Sequence, residues 1–178
     1  MIQINMKLLL AILTIIAQVI IVLIILLGKR TDKYIKKYVL LFAFIVAVTA
    51  TSGSLYFSEI AGYVPCKLCW FQRIMIYPLA IILLVALIRK DNNVWPYVLS
   101  LSSIDILISG YHYYIQLLNS STFCTIGEEC TTKYFTLGYI SIPLMSFTAA
   151  LLISILMLKL RKHIKSEITG KNKKKVFV

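Results

Sequence analysis

Five stretches of this chain, roughly 8–27, 38–58, 72–88, 97–118 and 139–158, are each long and apolar enough to cross a lipid bilayer. About 20 apolar residues wound as a helix span the hydrocarbon core, and a helix satisfies all its backbone hydrogen bonds within one segment where water is absent. A chain of 178 residues that spends five segments this way keeps almost nothing for a separate soluble domain. With 60% of residues hydrophobic, 15% charged and a mean hydropathy of +0.86, an ordinary soluble domain is excluded. The expected fold is all-α, a single polytopic membrane domain.

The formal net charge of +12 raises the question of nucleic acid, but the placement of the charge answers it against. Lys29, Arg30, Lys33, Lys36 and Lys37 lie between the first two spans, Arg89 and Lys90 follow the third, and eight more basic residues run from Lys159 to Lys175. That puts 15 of the 19 on one side and leaves Lys7, Lys67, Arg73 and Lys133 on the other. Basic loops stay in the cytoplasm. The N-terminus and the loops 59–71 and 119–138 are therefore expected outside the cell, with the basic tail 159–178 solvated inside, where each Lys near anionic lipid is worth about 1 kcal/mol. The first apolar run follows Lys7 as a secretory signal would, yet it ends in Leu-Leu-Gly-Lys-Arg with no small-residue cleavage site, so it is read as a retained helix.

Four cysteines occur, Cys66 and Cys69 in one outer loop and Cys124 and Cys130 in the other. An even number on an oxidising side implies disulfides. As staples within each loop they are inefficient, because rings this small stabilise by only about 2 kcal/mol each in the chain-entropy model. Pairing across the loops would close longer rings, and that connectivity stays open. A zinc site is disfavoured, since the second pair is spaced C-x5-C and the compartment opposes free thiolates, so no metal is expected. Redox exchange suits the tight C-x-x-C best. Pro65 stiffens its entry, and Arg73 follows one helical turn after Cys69, placed to stabilise a thiolate or an anionic acceptor. Two pairs on one membrane face suggest a relay with an input and an output. Since no cysteine lies within a span to carry electrons from the cytoplasm, the exit is expected through a two-electron carrier dissolved in the bilayer, a lipid quinone.

In the fourth span Ser102, Asp105, Ser109, His112 and Gln116 are spaced 3, 4, 3 and 4, so they share one helix face. An ionisable group inside the membrane faces the bundle interior and is a functional candidate by default. His112 lies nearer the outer surface than Asp105, and quinone reduction consumes two protons. Interhelical hydrogen bonding is the plainer account of the serines and Gln116; for Asp105 the structural and functional readings balance. Small residues Thr49, Thr51, Ser52, Gly53 and Ser54 are read as close helix packing. The aromatics Tyr63, Trp70, Phe71, Tyr111, Tyr113 and Tyr114 are read chiefly as interface anchors.

The sequence P-C-x-L-C-W-x-Q-R before a helix, Y-H-Y-Y-I-Q at the end of a later one, and a second cysteine pair in the next outer loop resemble the disulfide bond formation protein B (DsbB) family, in particular its Gram-positive BdbC-like members. The likeness covers roughly residues 38–160. It implies a four-helix transmembrane bundle with a bound quinone, menaquinone or ubiquinone, that reoxidises an extracytoplasmic thioredoxin-fold oxidase and so supports disulfide formation in secreted proteins. By position it implies Cys69 as the sulfur beside the quinone ring and Cys66 as its partner, Cys124 as the sulfur attacked by the thioredoxin-fold protein, and Cys130 as the link to Cys66. Arg73 matches the family arginine that supports quinone binding, and His112 falls near a family position beside the quinone. Three departures stand out. Gln72 replaces the Glu of many Gram-negative members, the gap between Cys124 and Cys130 is short, and helix 8–27 is an addition to the four-helix core. Vitamin K epoxide reductase relatives share the chemistry but place their loop cysteines before the C-x-x-C, and a non-catalytic membrane protein with two structural disulfides is the other alternative.

Overall fold

The structure, a computed structural model, describes residues 2–27, 32–118, 136–137 and 139–176, with side chains described over 6–26, 38–118 and 139–166. Five long helices account for nearly all of it: α1 (Ile2–Leu27), α2 (Asp32–Leu55), α3 (Lys67–Arg89), α4 (Trp95–Leu118) and α5 (Ile142–Val176). A π-helical turn, Tyr56–Ile60, ends α2, and a 3-10 turn, Asn92–Val94, leads into α4. A short antiparallel ribbon pairs β1 (Thr136–Leu137) with β2 (Ile140–Ser141), Thr136 opposite Ser141.

Helices α2, α3, α4 and α5 form a closed ring in which each packs on the next, and α1 stands outside it against α5. The main hydrophobic core lies among these helices. There Leu79 and Leu83 from α3, Val98 from α4 and Ile153 and Met157 from α5 are fully buried, with Ala43 and Ala47 of α2 letting the backbones approach. Large apolar side chains such as Ile81, Ile88 and Leu107 point outward, where lipid rather than water receives them.

The spans differ from the sequence expectation at their ends. α3 begins at Lys67, not 72, because Cys66 caps it. α5 begins at Ile142, not 139, because β2 occupies the approach, and it continues as helix to Val176 through the stretch expected to be a solvated tail. Four segments, Met6–Leu26, Tyr38–Ile60, Lys67–Arg89 and Ile142–Ser166, are long and apolar enough to cross a membrane. α4 falls short of them in hydropathy because of its polar stripe, yet it sits between α3 and α5 and turns that stripe inward. Pro78 lies inside α3, where it withholds one backbone donor, a loss that transmembrane helices tolerate.

α3 stops in a Schellman motif: Asp91 N–H donates to Ala86 O at 2.9 Å and Lys90 N–H to Leu87 O at 3.3 Å. Lys90 holds φ 54°, the left-handed conformation that a Cβ disfavours. Lys90→Gly is expected to stabilise the folded protein by roughly 0.5–1 kcal/mol, read as a higher unfolding temperature in detergent; an unchanged or lower one would show that the lysine side chain offsets the strain.

Candidate redox site

Cys66 is the N-cap of α3. Its backbone is extended (φ −71°, ψ 171°), and its sulfur accepts the Cys69 N–H at 3.4 Å. This geometry aims the positive end of the helix dipole at one sulfur of the pair. The Cys69 sulfur, one turn on, lies 2.9 Å from that of Cys66, so the two are positioned to pair. Both are free cysteines here, Cys66 buried and Cys69 half-buried.

Across from them the polar stripe of α4 arrives. All five of its members, Ser102, Asp105, Ser109, His112 and Gln116, are buried as the 3–4 spacing predicted. They serve two ends. Ser102 meets Ser154 of α5 at 2.8 Å, and Asp105 Oδ2 accepts from Ser146 of α5 at 3.1 Å, so the inner part of the stripe joins two helices. His112 and Gln116 instead line a cavity that both cysteines share. His112 Nε2 is 3.8 Å from Cys66 Sγ, and its Nδ1 is 3.1 Å from Gln72 Nε2. With the Gln72 amide donating to Nδ1, the imidazole proton sits on Nε2 and points at the Cys66 sulfur.

These contacts set the acidity of Cys66. A hydrogen bond from the Cys69 side chain does most to hold its thiol well below the usual cysteine range; burial opposes this, and His112 and the Cys69 backbone N–H add to the lowering.

Arg73 is fixed from α2. Its Nε donates to Ser54 Oγ at 3.0 Å and its Nη2 to the Ser54 carbonyl at 3.1 Å, while the guanidinium lies 5.3 Å from the centre of the Trp70 ring. Tyr77 donates to the same Ser54 hydroxyl at 3.3 Å. Ser54 immediately precedes the end of α2, where the helix widens into its π turn, a deviation that often accompanies functional sites. Only two of the five guanidinium N–H groups are committed to Ser54, and Arg73 also faces the cavity.

The cavity has a volume of about 350 Å³ and is mostly apolar, with Cys66, Cys69, Arg73 and His112 gathered at one end. A planar ring carrying carbonyl oxygens fits this donor set and these walls. Cys66, Cys69 and His112 also hold their ligand atoms within 4.8 Å of one another, close enough for a soft metal, although thiols that must pair with each other are not available as standing ligands. Cys124 and Cys130 lie outside the described residues.

Cys66, Cys69, Arg73 and His112, the residues the motifs single out, all line one cavity. Ser54 and Gln72, which the sequence presents as a packing residue and a missing acid, join them as the partners of Arg73 and His112. Gln72 sits three residues after Cys69, on the same helix face, which was the available signal.

A ring of helices sized for a bilayer, with a close thiol pair capping one helix, defines a class, the polytopic membrane proteins of disulfide chemistry. The family model for disulfide bond formation protein DsbB matches residues 36–160, and the chain belongs to that family, making it a multi-pass membrane disulfide oxidoreductase. It is 46% identical over 131 residues to the SPbeta prophage-derived disulfide bond formation protein B of Bacillus subtilis (strain 168), covering 72% of this chain and 88% of that one. It is 41% identical over 123 residues to disulfide bond formation protein C of the same organism, covering 67% and 89%. A probable disulfide formation protein of Chlamydia caviae is 36% identical over 127 residues, covering 71% and 93%. No solved structure matches the chain.

Proposed function

We propose that this single membrane domain carries electrons from an extracytoplasmic thioredoxin-fold dithiol to a lipid quinone, with Cys66, Cys69, Cys124 and Cys130 as the redox groups and Arg73 and His112 as quinone-site residues. The observation that carries the reading is the shared cavity: two sulfurs 2.9 Å apart, an imidazole and an arginine all open into one mostly apolar space. The basic loops and tail support an orientation with the N-terminus and both cysteine pairs outside and the C-terminus in the cytoplasm.

A partner thiolate attacks Cys124 in a Cys124–Cys130 disulfide and expels Cys130. The partner's second thiol then releases Cys124 and leaves the partner oxidised. Cys130 in turn attacks Cys66 of a Cys66–Cys69 disulfide and expels Cys69, and Cys124 resolves the mixed disulfide by releasing Cys66. Two electrons now reside on the Cys66/Cys69 dithiol. A quinone held by Arg73 and His112 would supply the two-electron, two-proton acceptor that lets the Cys66–Cys69 bond re-form. The chain's own part is to hold Cys66 as a thiolate with the His112 Nε2–H and the α3 N-terminus, to offer Arg73 donors to a carbonyl oxygen, and to keep water from the apolar walls.

Organic extraction of the protein purified from membranes is expected to yield a quinone whose oxidised absorbance band disappears on reduction, with one partner dithiol oxidised per quinone consumed. Undiminished thiol turnover in quinone-free lipid without oxygen would sink the reading. Arg73→Gln is expected to raise KM for quinone about 10- to 100-fold, the effect of a lost charged hydrogen bond, and Ser54→Ala to raise it less. Steady-state kinetics against quinone concentration measure both, and equal KM values in wild type and Arg73→Gln would remove Arg73 from the site.

A further inference from the structure

α1 lies outside the 36–160 match to the family, yet it forms part of the cavity wall. It packs on α5, where Gln18 Nε2 donates to Thr148 Oγ1 at 3.5 Å, and Tyr139, just before β2, donates its hydroxyl to Gln18 Oε1 at 2.7 Å; Ala11, Thr14 and Ile21 of α1 are buried. Toward α2 it comes close at Leu10, where a Cβ on Gly53 would stand 3.2 Å from Leu10 Cδ2. Beyond that contact the cavity is lined by Leu13, Ala17 and Ile20 of α1 and by Phe42, Ile45 and Val46 of α2. From Leu10 to Ile20 this wall runs about 15 Å along the helix axis at 1.5 Å per residue.

The cavity therefore has two parts of different chemistry. One holds the sulfurs, Arg73 and His112; the other is a slot of aliphatic and aromatic side chains along the bilayer-embedded helices. An isoprenoid quinone has the same two parts, a ring with carbonyl oxygens and a long apolar tail. We infer that α1 is the tail-binding wall of the quinone site, the isoprenoid tail lying in the slot between α1 and α2, so that the added helix makes the protein selective for long-tailed quinones. The inference rests on the quinone reading above and adds to it a subsite in a helix the family match does not include.

Ala17→Phe places a ring in the slot and leaves the cysteines, Arg73 and His112 untouched. In the full-length protein, KM for a long-tailed menaquinone is expected to rise at least about 10-fold, the scale of discrimination an apolar pocket gives. KM for tail-less menadione is expected to stay unchanged, and long-tailed quinone co-purifying with the variant should fall in parallel. Unchanged KM for both quinones, or an equal rise for both, would overturn the tail subsite. A second measurement does not depend on the variant folding. A menaquinone analogue with a photoreactive group in its tail should label the wild-type tryptic peptide 8–29 of α1, and unlabelled long-tailed menaquinone should suppress that labelling. Label confined to α2–α5, or labelling of 8–29 by a photoreactive phospholipid that long-tailed menaquinone does not displace, would give the slot to other occupants and overturn the inference. Wild-type protein that reduces neither menadione nor menaquinone would instead overturn the quinone reading itself.

Discussion

Cys69→Ser is expected to abolish quinone-dependent oxidation of a dithiol substrate, by more than about a thousandfold, as removal of an obligatory member of a catalytic unit does. Serine keeps the volume and a hydrogen-bonding group but neither forms a disulfide nor passes electrons on. Membrane abundance and unfolding temperature should change little, because a four-residue ring adds at most about 2 kcal/mol to stability. The two quantities separate enzyme from staple. A variant that loses activity only in proportion to lost folded protein would mark the C-x-x-C as structural.

His112→Ala acts on the sulfur that caps α3. The thiolate of Cys66 exists above its lowered folded pKa and is lost as pH falls through it; removing the Nε2–H donor 3.8 Å away raises that pKa. The pH midpoint of Cys66 alkylation in the reduced protein should therefore move upward by about one unit, a typical effect of losing a hydrogen bond to the charged form. The same donor stabilises only the reduced, thiolate-bearing form, so without it the Cys66/Cys69 couple should become more reducing, by about 30 mV for each tenfold loss. The linkage with folding has the same sign. Stability from this group in the reduced protein is fully present above the unfolded value near 9.0 and declines as pH falls toward the folded pKa. Gln72→Leu should reproduce part of the shift by leaving Nδ1 of His112 without its 3.1 Å partner. Alkylation profiles that superimpose for wild type and His112→Ala would show that the helix terminus and Cys69 alone set the acidity.

Periodicity and charge carried the fold. The 3–4 spacing of Ser102, Asp105, Ser109, His112 and Gln116 identified a buried face because helical geometry alone determines which residues share a side. Pairings between helices were beyond reach, since spacing within one helix says nothing of what faces it. Ser54 and Arg73 are 19 residues apart and Gln72 and His112 are 40 apart, and each pair meets only because α2, α3 and α4 close a ring. The start of α3 was missed for a local reason: a C-x-x-C looks like a loop motif until Cys66 is seen to cap the helix that contains Cys69. Asp105, left between two readings, lies against Ser146 and away from the sulfurs, joining α4 to α5.

The unequal filling of the ring has a mechanical consequence. Leu79, Leu83, Val98, Ile153 and Met157 are fully buried in its core, while the cysteines border open space. A close-packed interior transmits strain and yields little. Side-chain movement at the thiol pair is therefore taken up by the cavity beside it, and the helices that hold the pair stay where they are.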